Sequence, residues 1–170
     1  MTFYDLAKRR YSVRQFTKER IPRDKLESIL EAARLAPTSQ NDQPQRLFIL
    51  ESETARENLN KAMNSEIKAP LYVLVAYDKR ETRTRNYPVI DGGTVSASIV
   101  ATYLMLEASD TGLGSIWIGD VDLGKLKTVL NLEEYIVPIV IIAIGFPMIE
   151  SKPGPSHANR KPLEETTFYL

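Results

Sequence analysis

The sequence predicts a layered fold of strands and helices, and three observations carry that expectation. Two runs of apolar, β-branched residues, at 70–77 and 136–146, read as buried strands far apart in the chain. A stretch at 93–109 has helical length but is apolar or small almost all round, so it reads as a helix without a polar face. Strand-like and helix-like segments interleave with no internal repeat and no linker that would split the chain, which argues for layers around one core. At 170 residues the chain is read as one domain, 1–170, long enough to bury a substantial core.

The elements follow in order. Residues 3–7 form a short amphipathic segment. The helix at 22–36 has Pro22 in its first turn, and Leu26, Ile29, Leu30 and Ala33 share one face. It stops at Pro37. A polar loop rich in turn formers runs to Pro44. Leu47 to Leu50 form a short strand, and 54–64 a weakly patterned helix. After the strand at 70–77, residues 78–88 carry Lys79, Arg80, Arg83 and Arg85 and read as an exposed connection. The apolar helix at 93–109 calls for cover on every side, which in a chain this small suggests a second subunit. A glycine-bracketed apolar segment spans 112–119. A short helix at 122–130 is capped by Asp120 or Asp122. The tail from 152 is Pro-rich and ends in Thr166-Thr167-Phe168-Tyr169-Leu170, a possible strand that must dock somewhere.

Composition excludes several classes of function. The formal net charge is zero, so no global field draws nucleic acid or an anionic membrane. Cysteine is absent, which removes disulfides, thiolate catalysis and Cys-ligated metals, and fits a reducing cytoplasm. No apolar run follows Lys8-Arg9-Arg10 to make a signal region, and the longest apolar stretch, 135–146, is too short to span a bilayer. His157 is the only histidine, so a zinc site has no support. There is no Gly-x-Ser-x-Gly. Gly112-Leu113-Gly114 is half a dinucleotide fingerprint with its third glycine misplaced. No pair of carboxylates stands out, so an enzyme built this way would leave the chemistry to a cofactor.

Charge is nevertheless uneven. Residues 1–25 hold eight basic side chains against Asp5, Glu19 and Asp24. Within them, Arg9-Arg10-Tyr11-Ser12-Val13-Arg14 sets three guanidiniums and a hydroxyl in six positions. Guanidiniums bind phosphate in a bidentate manner and a hydroxyl adds a further bond. Alone, such a run is more often a solvated basic turn.

Read together, three segments are more specific. Arg10-Tyr11-Ser12-x-Arg14, the loop Pro37-Thr38-Ser39-x-Asn41-x-Gln43-Pro44, and Gly112-Leu113-Gly114-Ser115-x-Trp117-Ile118-Gly119 resemble, in order and spacing, the flavin-binding segments of the nitroreductase family. The tail Arg160-Lys161-Pro162-Leu163-Glu164-Glu165 resembles that family's C-terminal phosphate clamp and exchanged strand. The resemblance runs from about residue 3 to the C-terminus.

It implies an α+β fold, with a mixed, mainly antiparallel sheet flanked by helices. It also implies an intertwined homodimer, with FMN at the subunit interface and the C-terminal strand joining the partner's sheet. Carried over by position, Arg10 and Ser12 hold the FMN phosphate and ribityl end, Tyr11 contributes backbone, and Arg160 closes the clamp. Arg14 reaches the pyrimidine edge. The backbone of Ile118 or Gly119 donates to flavin N5, and Trp117 walls the pocket. Pro37, Thr38 and Ser39 cover the flavin from the partner, with Asn41 either touching it or fixing the loop's own turns. The family often places an Asn or Lys before the second strand, and here Asn64 is the nearest candidate. Ser12 as a helix cap and Arg9 as a surface charge are the plainer readings of those positions.

Two departures stand out. Gln45-Arg46 replaces an aromatic common after the loop, and the connection at 78–88 is short, which implies an open flavin and weak substrate selection. The implied function is hydride transfer from NAD(P)H through FMN to a small acceptor of nitroaromatic or quinone type, by a ping-pong mechanism. The alternatives are a specialised flavin enzyme (dehalogenase-like or flavin-fragmenting) and a non-catalytic protein that binds flavin or another phosphorylated ligand.

Overall fold

The two apolar runs pair with each other. A computed structural model describes residues 1–83 and 91–170, and in it β2 (Leu71–Asp78) lies antiparallel to β4 (Ile136–Gly145). β1 (Gln45–Leu50) flanks β2 and β3 (Gly114–Ile118) flanks β4, giving the order β1-β2-β4-β3. Every ladder is antiparallel. Among the described residues the one parallel pairing is a single bridge from Ser12 to Ser115, so the mixed, mainly antiparallel sheet of the α+β class is present. Continuous apolar strands arise here in an antiparallel sheet because helices cover both of its faces.

Those faces can be read residue by residue. Leu71, Val73 and Val75 of β2 join Val140, Ile142 and Ile144 of β4 against α2 (Arg23–Leu35) and α4 (Gly92–Asp110). Leu26, Ile29 and Ala33 come from α2, and Ala97, Val100, Ala101, Leu104 and Ala108 from α4. The alternate residues Tyr72, Leu74, Ile141 and Ala143 face α3 (Glu53–Asn60) and α5 (Leu123–Val129), through Leu59 and Leu126. The β2–β4 register slips between Val75 and Ala76, which face Val140 and Pro138, so Ile139 is left out. Pro138 has no N–H to give the ladder, and a bulge beside it absorbs that loss.

α4 begins on the Asp91 carboxylate, which accepts from the backbone N–H groups of Gly93 and Thr94. Gly93 packs on the Tyr77 ring so closely that a Cβ would overlap it. Burial, and then the neighbouring Asp91, push the Tyr77 hydroxyl up to about 12. Not all of α4 is covered within the chain: Tyr103 is exposed, while Ile99 and Leu106 are half-buried. α5 takes its cap from Asp122, whose side chain accepts from Lys125 N–H. α1 (Phe3–Arg9) buries no side chain, and a capping box between Thr2 and Asp5 closes its start.

Several expectations change. The helix over 54–64 ends at Asn60 because the chain turns away to pair with another segment: Met63 bridges Val121, and Asp122 N–H donates to Ala62 C=O. Residues 166–170 form no strand within the chain, and Phe168, Tyr169 and Leu170 are exposed. Arg80, expected on an exposed connection, is not a loose surface charge, and Arg46 joins it. Both guanidiniums converge on the Asp78 carboxylate, which is 1% exposed, at 3.6 Å and 2.7 Å. Arg46 also meets Glu81 at 2.7 Å, and Arg80 lies 3.3 Å over the Tyr135 ring. Residues 84–90 lie outside the described residues, and with them Arg85 and the second half of the connection expected at 78–88.

Hydrogen bonds from Arg80 hold the Asp78 carboxyl at about 2, below its ordinary value of 3.8. Its stabilising contribution is therefore complete above about pH 4 and is lost as pH falls through 2. The expected outcome is that Asp78→Asn is clearly less stable than wild type in urea at pH 7 and that the gap closes near pH 2. An equal gap at both pH values would show that the ionised carboxylate does not carry this stability.

Candidate functional site

The arginine-rich segment lies along the free edge of β3. Val13 N–H donates to Ser115 C=O at 3.1 Å, Ser12 bridges Ser115, and Phe16 bridges Pro147. This approach depends on Gly114, where a Cβ would stand 2.5 Å from the Val13 side chain. Ser12 is thereby an edge residue and caps no helix. Arg9 is not a free surface charge either. It donates to the Ser109 carbonyl at 2.6 Å and lies 3.9 Å from Asp110, tying α1 to the carbonyl end of α4.

Beyond that edge the chain returns through residues 151–160 and encloses a cleft of about 650 Å³. Arg10, Tyr11, Ser12 and Arg14 line one side, and Lys152, Gly154, His157 and Arg160 the other. Arg14 Nη1 donates to Ser12 C=O at 3.1 Å. No acidic residue lines the cleft. Among the described residues, none of Arg10, Arg14, Lys152 and Arg160 has a carboxylate within 4.0 Å. Burial, and then the like charge of Arg160, push the Arg10 guanidinium below its ordinary value, although it stays protonated. Like charges held together without a counter-charge make an anion site. A phosphomonoester carries nearly two negative charges and three acceptor oxygens, so two guanidiniums and the Ser12 hydroxyl suit it. The donor set fits the phosphate of FMN.

Of the residues singled out in the sequence, Arg10, Tyr11, Ser12, Arg14 and Arg160 therefore share one cleft. Trp117 and Ile118 lie in β3, with Gly119 just beyond it. Trp117 is 37% exposed, whereas Ile118 points into the core. Asn64 comes to the same end of β3, its N–H 3.4 Å from Asp120 C=O, with its side chain exposed.

Pro37, Thr38, Ser39 and Asn41 lie elsewhere, at the start of α4. Ser39 N–H donates to the buried Ser96 hydroxyl at 3.1 Å. The Thr38 hydroxyl accepts from Gln43 N–H, and Arg83 grips Asp42 and Gln40. Gln40, Asn41 and Gln43 all have positive φ, so the loop stores backbone strain that these contacts restrain. Ser96 and Ser109 are separated by about 20 Å of helix at 1.5 Å per residue. Within one chain the loop and the arginine cleft thus sit at opposite ends of α4.

Sequence reasoning passed over Lys152, His157 and the Tyr11 side chain as parts of the cleft. The signal was the turn-forming Pro153-Gly154-Pro155, which folds the tail back.

The Gly114 contact generates a direct test. Gly114→Ala is expected to lose about 1–3 kcal/mol through overpacking against Val13. Urea denaturation reads this, and an unchanged midpoint would show that the contact has slack.

The comparisons with known proteins agree with this geometry. The nitroreductase family profile matches residues 7–95 and 67–146. A crystal structure of a nitroreductase family protein from Clostridium difficile 630 is 35% identical, with a TM-score of 0.91 over 99% of this chain and 98% of its own. A protein from Exiguobacterium sibiricum 255-15, solved in complex with FMN, shares the fold at a TM-score of 0.86 and 20% identity, over 100% of this chain and 98% of its own. A curated NADPH-dependent oxidoreductase from Staphylococcus aureus (strain MRSA252) is 27% identical over 161 residues, covering 85% of this chain. The chain spans only 64% of that relative's length. On the profile match and on the shared fold at 35% identity, the chain belongs to the nitroreductase family.

Proposed function

We propose that this protein is an FMN-dependent oxidoreductase that oxidises NAD(P)H and reduces a small organic acceptor of nitroaromatic or quinone type in alternating half-reactions. The observation that carries this reading is the cleft of uncompensated cations at the β3 edge. A structural neighbour solved with FMN and a relative described as an NADPH-dependent oxidoreductase support it. FMN, when bound, supplies a centre that accepts a hydride from reduced nicotinamide and gives it up to the acceptor.

The chain's own residues bind and tune. Arg10, Arg160 and Ser12 hold the phosphate. Arg14 sets a positive charge near the pyrimidine edge, which favours the reduced, anionic form and raises the reduction potential. Trp117, Ile118, Gly119 and Asn64 form the wall at the end of β3. Pro37, Thr38, Ser39 and Asn41 stand about 20 Å from the clamp along α4. They therefore serve the flavin of a second subunit, and the protein works as a homodimer. The incompletely covered face of α4 and the exposed apolar tail, exchanged between subunits, supply the interface. Abundant NAD(P)H makes the cytoplasm the natural location. No helix among the described residues is long and apolar enough to cross a membrane.

The first experiment is the visible spectrum after loading with FMN and desalting, followed by oxidation of NADH and NADPH with a quinone and with a nitroaromatic. About one flavin per chain and turnover with either nucleotide are expected. Loss of all flavin on desalting would overturn the proposal, and flavin retained without nucleotide oxidation would leave a binding protein. In the loaded protein, Arg14→Ala is expected to lower the two-electron potential by about 30 mV. An unchanged potential would remove that role from Arg14.

A further inference from the structure

Arg160 stands on a segment with little to hold it. None of the residues 151–160 is buried, and a long exposed arginine on such a segment would lose its ordering entropy afresh at each binding event. Yet two side chains, Tyr11 of the first motif and His157 from outside the motifs, fasten this strap at both ends. The Tyr11 hydroxyl donates to Ser151 C=O at 3.1 Å, at the strap's start. Near its end, His157 Nε2 lies 3.2 Å from Lys8 C=O. A carbonyl only accepts, so Nε2 carries the proton. The bond also satisfies a carbonyl in the last turn of α1, which has no partner within its own helix. The two rings meet edge to face at 6.2 Å and 71°.

His157 then seats the arginine. Its own C=O accepts from Arg160 Nη1 at 2.5 Å, and Asn159 C=O accepts from the same nitrogen at 2.9 Å. Nη1 is thus engaged by two carbonyls. Nε and Nη2 remain, and these form the side of the guanidinium fork that binds an oxyanion with two parallel bonds.

We infer that Tyr11 and His157 are positioning residues that hold the 151–160 strap on α1 and so aim Arg160 at the phosphate of the bound flavin. The inference rests on the cleft being the FMN phosphate site. It assigns Tyr11 a side-chain role beyond its backbone, and gives the only histidine a function at the end of α1.

The test compares dissociation constants for FMN and for riboflavin, which lacks the phosphate, by flavin fluorescence. Arg160→Ala is expected to weaken FMN about tenfold and to leave riboflavin unchanged. Tyr11→Phe and His157→Ala should weaken FMN about three- to tenfold, again without touching riboflavin. His157→Gln, which keeps an N–H donor, should recover most of the loss. Either change added to Arg160→Ala should cost nothing more, because the effect acts through that arginine. FMN affinity unchanged in both single variants would overturn the inference. So would riboflavin weakening in step with FMN, or additive losses in the double variants. Failure of the wild-type protein to bind FMN would instead remove the reading of the cleft itself, and this inference with it.

Discussion

Everything in this molecule is arranged around two central strands that are buried on both faces. β2 and β4 present alternate side chains to two separate cores, one roofed by α2 and α4 and the other by α3 and α5. Such a sheet is stabilised by the hydrophobic effect over its whole surface, and it leaves no face free to receive a ligand. A site can be built only at its edge and its ends. The N-terminal segment takes the free edge of β3, and the tail folds back over that segment. The location of the cleft is thus a consequence of how completely the sheet is covered.

The electrostatics follow the same division. Elsewhere cations stand beside carboxylates in short-range pairs, and the most buried of these, around Asp78, ties the ends of β1 and β2 together. In the cleft that rule is broken. Four cations and a histidine face one another with no carboxylate among them. Under the proposed function a bound anion relieves this repulsion, which is why local charge says more here than the overall balance.

Much of the architecture was legible in the sequence, since periodicity and turn chemistry are local signals. The strands at 70–77 and 136–146, the stop of α2 before Pro37, and the Asp122 cap all follow from neighbouring residues. What was not legible depends on partners far away in the chain. The end of α3 at Asn60 is decided by the Met63 bridge to Val121. Arg9 finds the end of α4 a hundred residues later, and Arg46 finds Asp78. The direction of the central strands was hidden for a different reason: two-sided burial produces the same apolar run whether strands are parallel or antiparallel. At the site, Arg10, Ser12, Arg14 and Arg160 were named through the family resemblance, and they line one cleft. Tyr11 as a tether and His157 as a cap could not be named, because their roles come from carbonyls at Ser151 and Lys8 that no side-chain pattern reveals.

The two walls of the cleft differ in how firmly they are held. One is fixed by the Arg9 link to α4, the Val13 bond to Ser115 and the Phe16 bridge, over a glycine that admits close contact. The other hangs on polar contacts at the surface. A ligand arriving at such a cleft meets one side already in place, so little ordering slows its capture. Its departure requires only that the strap let go. Under the proposed function residence time is therefore governed by a few solvent-facing hydrogen bonds, and substitutions at the tethers of the tail tune how long a cofactor stays.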